Sequence, residues 1–279
     1  MNDETVTTTR PVRVLEPDGR IALGELWSAR DLMVLLAWRD LKVRYAQSLL
    51  GAGWALGQPL LMMGVFSVFL GVLAKVPAPG GLPYPVFVLS GLVPWVFFAN
   101  SVTSTGQSVV GSAQLVEKVA FPRLVMPIAA MLAWLPDLGI SIALLLGVMA
   151  AWGMAPGWGI VALPLFAVLA VCAAVAVGLW VAALNVAYRD VKYAIPFLLQ
   201  VGMFATPVVY SAELVPDSAQ VLYGLNPMAG VVEGFRWALL GTPAPHAGLL
   251  AASVAVTGVV MAGGLAYFRR VERWFADVI

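Results

Sequence analysis

Very little in this chain is equipped to make or break a bond. It holds one cysteine, Cys172, and one histidine, His246. A zinc site needs about four Cys, His or carboxylate ligands, so no metal site is expected. Cys172 lies inside a long apolar run, where an unpaired cysteine behaves as a small hydrophobe. His246 follows Pro245 in a polar stretch and is read as solvated. No Gly-x-x-x-x-Gly-Lys-Ser/Thr loop occurs, so the chain lacks that device for cradling the phosphates of ATP. No Ser–His–Asp set and no paired carboxylates are placed to serve as nucleophile and base. No catalytic residue is expected, and the chain is read as not an enzyme. Asp137 differs in kind, being an acid in the middle of an apolar run, just after Pro136. At the centre of a spanning helix such a charge costs ~2.5–3.5 kcal/mol on insertion scales, so it faces a cavity or a partner. A protonated Asp137 could cap the carbonyl that Pro136 frees, or it could line a conduit. Coupled-ion transport ordinarily uses more than one such group, and this chain has one.

The elements that hold these residues are dictated by composition. Of 279 residues, 61% are hydrophobic and 11% charged, and the mean hydropathy is +0.90. A bilayer core of about 30 Å is crossed by about 20 helical residues, and the chain supplies such runs repeatedly. Backbone amides in lipid must bond within their own segment, and the runs are too long and uniformly apolar for barrel strands. The expected fold is therefore an all-α integral membrane protein with six transmembrane helices. They are placed at about 54–74, 86–110, 125–150, 160–184, 194–211 and 248–268. Seven basic residues precede the first span: Arg10, Arg13, Arg20, Arg30, Arg39, Lys42 and Arg44. Lys118 and Arg123 follow the second, Arg189 and Lys192 the fourth, and Arg269, Arg270 and Arg273 the sixth. These are 14 of the 16 basic residues, and only Lys75 and Arg236 fall on the other side. The positive-inside rule puts both termini in the cytoplasm. The topology accounts for the basic residues, and with a net charge of +1 no nucleic-acid partner is expected.

Between and before the spans lie segments of other kinds. Residues 1–20 are polar, carry no secretory signal and are expected to be a disordered cytoplasmic tail. Residues 21–50 read as an amphipathic helix in the headgroup plane, with Trp38, Leu41, Tyr45 and Leu49 on one stripe and Arg39, Asp40, Lys42 and Arg44 on other faces. Residues 269–279 form a second cytoplasmic tail. The short cytoplasmic loop after span two carries Glu117, Lys118, Phe121, Pro122 and Arg123. A helix over about 112–120 should stop before Phe121-Pro122, because the residue before a proline avoids helical dihedrals. This reads as a small docking element. Between spans five and six, Pro216 can open a short helix that Gly224 ends. After Asn226-Pro227, the residues Met228, Val231, Val232, Phe235 and Leu239 make a one-sided apolar stripe. Glu233 and Arg236 can pair off that stripe. Fifteen residues are too few to cross the bilayer, so this reads as a re-entrant helix pair in the outer leaflet, a candidate extracytoplasmic gate.

Several local patterns together resemble a known family. Trp38-Arg39-Asp40-Leu41-Lys42-Val43-Arg44-Tyr45, then Ser48-Leu49-Leu50-Gly51-Ala52-Gly53-Trp54 and Gln58-Pro59-Leu60, is similar to the start of the type-2 ABC exporter permeases that move polysaccharides. Ser90-Gly91-Leu92-Val93-Pro94-Trp95 resembles the family's second span. Glu117-Lys118 with Phe121-Pro122-Arg123 resembles its coupling loop. Tyr188-Arg189-Asp190-Val191, Pro207-Val208-Val209-Tyr210, Asn226-Pro227-Met228 and Phe235-Arg236 follow in the family's order. The resemblance runs from about Trp27 to Ile279. It implies a homodimer in the bacterial cytoplasmic (inner) membrane, bound to two copies of a separate ABC ATPase that holds the ATP and Mg. It implies that this chain itself carries no cofactor. The pathway would lie between the two permeases. The cargo would be a lipid-linked glycan such as O-antigen, capsular polysaccharide or teichoic acid. Sugars stack on aromatic faces, which makes Phe66, Phe69, Trp95, Phe97, Phe98 and Phe204 candidate lining residues.

A type-2 ABC permease for lipid or drug is the alternative within transport; the match around Arg39–Tyr45 argues against it. An intramembrane enzyme acting on lipid-linked sugars would need clustered carboxylates or histidines, which are missing. A secondary transporter is disfavoured by the single intramembrane acid.

Overall fold

The computed structural model describes residues 23–46, 53–112, 121–212 and 216–272. Among them no β-strand occurs, and the elements are helices. In chain order they are α1 (Leu23–Ser28), α2 (Arg30–Ala46), α3 (Gly53–Phe66), α4 (Tyr84–Gln107), α5 (Val125–Leu132) and α6 (Leu135–Ala151). Then come α7 (Leu163–Ala187), α8 (Val191–Ala205), α9 (Asp217–Tyr223), α10 (Pro227–Leu240) and α11 (Ala247–Glu272). A π-helical stretch, Ser67–Leu73, continues α3 without a break.

Five helical stretches among the described residues are long and apolar enough to cross a membrane: Gly53–Leu73, Tyr84–Gln107, Val125–Ala151, Trp158–Ala187 and Ala247–Glu272. The protein is thus a multi-pass membrane protein. The third is α5 and α6 joined by a turn at Ala133–Trp134, with Pro136 at the start of α6. A proline is accepted in a first helical turn, where its missing N–H is not needed. The expected fifth span differs from the observed element. A single helix over 194–211 is replaced by the shorter apolar helix α8, which stops at Ala205. Thr206 is extended (φ −103°, ψ 146°) because Pro207 follows it, and the pre-proline residue is pushed out of the helical region. The chain then runs on without regular helix from Thr206 to Tyr210.

The bundle is built around α4, whose residues from Val86 to Pro94 are all buried. It packs most extensively on α7, and α7 on α11. In lipid the attraction between helices comes from close packing rather than from expelled water, which favours small residues at contacts. α7 presents Ala170, Ala173, Ala174, Gly178, Ala182 and Ala183, all buried. A methyl added to Gly106 of α4 would sit 2.3 Å from Val181, and one on Gly178 would sit 2.6 Å from Thr105. By contrast, α3 and α8 are largely uncovered. Leu61, Val65, Phe69, Phe197, Val201 and Phe204 are all more than half exposed.

Candidate functional site

The helix pair α9 and α10 begins as its caps dictate. α9 opens after Pro216 and ends at Gly224. Asn226 caps α10, its side chain accepting from the Met228 amide at 3.1 Å, with Pro227 in the first turn. Gly241, at φ 68°, closes α10 in the left-handed conformation that glycine adopts without strain. The boundaries agree with expectation, but the surroundings do not. α10 was expected to bury one stripe. It is buried on nearly every side, packed against α4, α7 and α11. The reason is its glycines. Gly230 lies against Ser253, and Gly234 against the Phe166 ring, where an added methyl would be only 2.0 Å from a ring carbon.

Arg236 is the largest consequence. Its pairing with Glu233 is present, Nη1 to Oε1 at 2.9 Å, but the residue is not on a polar face. It is 1% exposed. Nη1 also donates to the Tyr210 carbonyl at 3.0 Å and Nη2 to the Val208 carbonyl at 2.7 Å. The guanidinium lies 3.9 Å from the centre of the Phe87 ring. Non-helical backbone at membrane depth is tolerated where its polar groups are satisfied by protein, and Arg236 does this for the segment that Pro207 breaks out of helix. Gly91 makes room: a methyl there would be 2.7 Å from the Val208 oxygen and 3.1 Å from Arg236 Nη2. Three patterns far apart in sequence, around Gly91, Val208 and Arg236, therefore meet at one guanidinium. Tyr84 adds a hydroxyl bond to the Val209 carbonyl at 2.9 Å. Nearby, the Tyr210 and Tyr223 hydroxyls are 2.5 Å apart. Burial, followed by this bond, pushes the Tyr223 phenol well above its ordinary range.

Before the first span, α2 docks on α5. Leu36 is buried against Val125 and Ala129, with Leu32, Met33 and Ala37 beside it. The contact face continues to Leu41, Arg44 and Tyr45 at helical spacing. Trp38, placed by sequence on the same stripe as Leu41 and Tyr45, instead lies on the open face with Val34 and Leu35. The stripe is rotated because the docking residues recur at Leu32, Leu36 and Tyr45 rather than at the bulkiest side chain. Lys42 sits 5.4 Å from the Trp38 ring centre, and Arg39 pairs with Asp40 at 2.8 Å. Leu49 lies outside the described residues.

Asp137 receives α2. Arg44 Nη1 is 2.5 Å from one carboxylate oxygen, and the Tyr45 hydroxyl donates to the other. Arg44 also donates to the Ala133 carbonyl at 3.3 Å, and its guanidinium lies 3.4 Å from the Trp134 ring centre. Burial, then the neighbouring carboxylate, pushes the Tyr45 phenol up to about 12. With both oxygens engaged, Asp137 anchors the end of α2. A protonated cap of a backbone carbonyl is not what the geometry holds. A cavity of about 210 Å³ adjoins the pair, bordered by Trp54, Gln58, Phe97, Asn100 and Ser141.

Of the loop after the second span, Glu117 and Lys118 lie outside the described residues. Phe121 packs against the α2–α5 cluster. The Arg123 amide donates to the Glu272 carboxylate at 3.2 Å, and its guanidinium donates to the Glu272 carbonyl. Arg123, expected to face a partner, thus also ties the loop to the end of α11. The aromatic candidates divide. Trp95, Phe97 and Phe98 are buried, Trp95 and Phe98 with ring centres 5.4 Å apart. Within one copy they serve core packing, with Phe97 also bordering the cavity beside Asp137. Phe66 and Phe204 meet edge-on at 6.5 Å beside exposed Phe69. Sequence reasoning did not single out Gly91, Ser253 or Glu272. Gly91 stood inside a quoted motif, while the other two gave no signal beyond being polar at either end of an apolar run. His246 is exposed and accepts from the Gly248 amide at 3.2 Å. Cys172 is half-buried. Among the described residues no group of His, Cys, Asp and Glu could hold a metal ion.

The ABC-2 type transporter family model matches residues 31–240. The chain is 30% identical over 257 residues to the O-antigen export system permease protein RfbA of Myxococcus xanthus, covering 91% of this chain and 98% of that protein. It is 27% identical over 254 residues to the protein of the same name from Klebsiella pneumoniae, covering 89% of this chain and 95% of that one.

Proposed function

The chain belongs to the ABC-2 type transporter family, and on that premise we propose that it is the membrane permease of an ATP-driven exporter of lipid-linked polysaccharide, of the O-antigen type. The observation that carries this reading is the near full-length likeness to permeases named for O-antigen export. The chain works as a homodimer in the bacterial inner membrane, with two copies of an ABC ATPase supplying ATP and Mg. The uncovered apolar face of α3 and α8 supports a second copy or lipid there, and Phe66, Phe69 and Phe204 on it are the rings offered to a glycan. The chain crosses six times with both ends inside, α8 and the irregular segment after it making the fifth crossing. The loop that includes Glu117, Lys118, Phe121, Pro122 and Arg123 receives the ATPase. The helices α9 and α10, with Asn226, Pro227, Glu233 and Arg236, form the outer end of the pathway.

The test is deletion of the gene, followed by fractionation of glycan. Lipid-linked polymer should accumulate inside the cell and disappear from the surface, and the intact gene should reverse both. Unchanged surface glycan would overturn the reading.

A further inference from the structure

The helix α11 is fastened at both ends to the two places where a transport cycle must begin and finish. At its outer end the buried Ser253 hydroxyl donates to the Gly224 carbonyl at 3.2 Å and accepts from the Gly230 amide at 3.3 Å. It therefore holds the end of α9 and the first turns of α10 together. The fit is close: a methyl on Gly230 would be 2.7 Å from the Ser253 oxygen, and one on Gly224 would be 2.6 Å from the Leu249 carbonyl. At its inner end Glu272 takes the Arg123 amide and guanidinium. Leu124 of the same loop packs in one buried cluster with Phe268 of α11.

Between these ends the helix is continuous over Ala247–Glu272 with no internal proline. The 19 residues from Ser253 to Glu272 span about 28 Å at 1.5 Å per residue. Its middle is bound to α7: the Trp180 indole donates to the Val260 carbonyl at 2.9 Å and stacks on Tyr267 at 5.1 Å. Kinks arise at a proline, a Gly/Ser pair, a bulge or an inserted group. The one such place in α11, Gly263-Gly264, is closed against α7: an added methyl would be 2.9 Å from the Trp180 ring at Gly263 and 3.0 Å from the Ala176 carbonyl at Gly264. The helix therefore transmits displacement along its axis. The burial of α10, with Gly230 against Ser253 and Gly234 against Phe166, ties it to its neighbours rather than leaving it a free flap.

We propose that α11 is a rigid rod that carries displacement of the cytoplasmic loop to the outer helix pair, with Glu272 and Ser253 as the positioning residues at its two ends. The proposal rests on the reading that this loop receives the ATPase. α9 and α10 then move as an extension of α11 rather than as a hinged gate.

The experiment uses permease and its ATPase together in proteoliposomes, with the lipid-linked glycan recovered from the deletion strain as cargo. Glycan exported per ATP hydrolysed is measured for Ser253→Ala, Glu272→Ala and the double variant. Each single variant should lower that ratio by about fivefold or more, the lower end of ordinary coupling between sites, with ATP hydrolysis near the parent rate. Glu272→Ala removes the carboxylate that takes the Arg123 amide and leaves the guanidinium on the residue-272 carbonyl. Links in series are weakened by either change, so the double variant should fall no further than the worse single. Melting temperatures are taken in parallel, and Ser253→Cys, which keeps the volume, replaces the alanine variant if that one is unstable. A ratio unchanged in both singles, or a double loss equal to the product of the two, overturns the rod. A Phe121→Cys crosslink to the ATPase separates the two readings. No crosslink overturns the docking loop and the rod with it, whereas a crosslink with unchanged ratio overturns the rod alone.

Discussion

Replacing Arg236 by methionine tests whether one guanidinium holds α10 to the irregular segment after α8. The side chain is buried, and its removal leaves the Glu233 carboxylate and the carbonyls of Val208 and Tyr210 without their donor. Breaking a buried pair by deleting one partner costs about 3–5 kcal/mol. An orphaned buried carbonyl costs about 1–3 kcal/mol. The two figures describe partly the same desolvation, so a total of about 4–6 kcal/mol is expected rather than their sum. At about 2–4 °C per kcal/mol for a large domain, melting should fall by about 10 °C or more. Arg236→Lys should lie between, because an ammonium cannot serve two carbonyls and a carboxylate with the same planar fork. The measurement is thermal unfolding of the purified permease in lipid nanodiscs. Arg39→Ala is the control: Arg39 is exposed and Asp40 about a third exposed, and such surface pairs contribute about 0–1 kcal/mol. If Arg236→Met melts within about 2 °C of the parent, a shift no larger than the control allows, the guanidinium is not what holds this segment.

Asp137→Ala should free the end of α2, so a cysteine introduced by Leu36→Cys in that background becomes reactive to a water-soluble maleimide. Continued protection would show that apolar packing alone holds the helix. Gly234→Ala should abolish accumulation of folded protein, because its methyl meets the Phe166 ring, whereas Gly258→Ala, with nothing within 4 Å, should be neutral or slightly stabilising. Expression with size-exclusion chromatography compares the two, and equal yields would contradict the packing. For orientation, His246→Cys should be labelled from outside sealed cells and Tyr188→Cys only after permeabilisation. The reverse pattern would invert the topology.

The apolar runs follow from composition and spacing, because the bilayer imposes one length and one polarity on any helix within it, and five of the six expected spans stand as long apolar helices among the described residues. Helix ends were legible where a local rule acts, as at Gly224 and Asn226-Pro227. The same rule was available at Thr206-Pro207, where a longer span was expected. What could not be read was which face each helix turns inward. On α2 the bulk of Trp38 suggested the wrong stripe, and on α10 a one-sided pattern concealed burial all round. Helical spacing groups residues on a face, but only the neighbouring helices decide whether that face meets protein or lipid. Arg236 is the extreme case. Its pairing with Glu233 follows from three-residue spacing, whereas its burial depends on Gly91 and on two carbonyls 26 and 28 residues upstream. Contacts at that separation exist only once α4, the irregular segment after α8 and α10 have packed together.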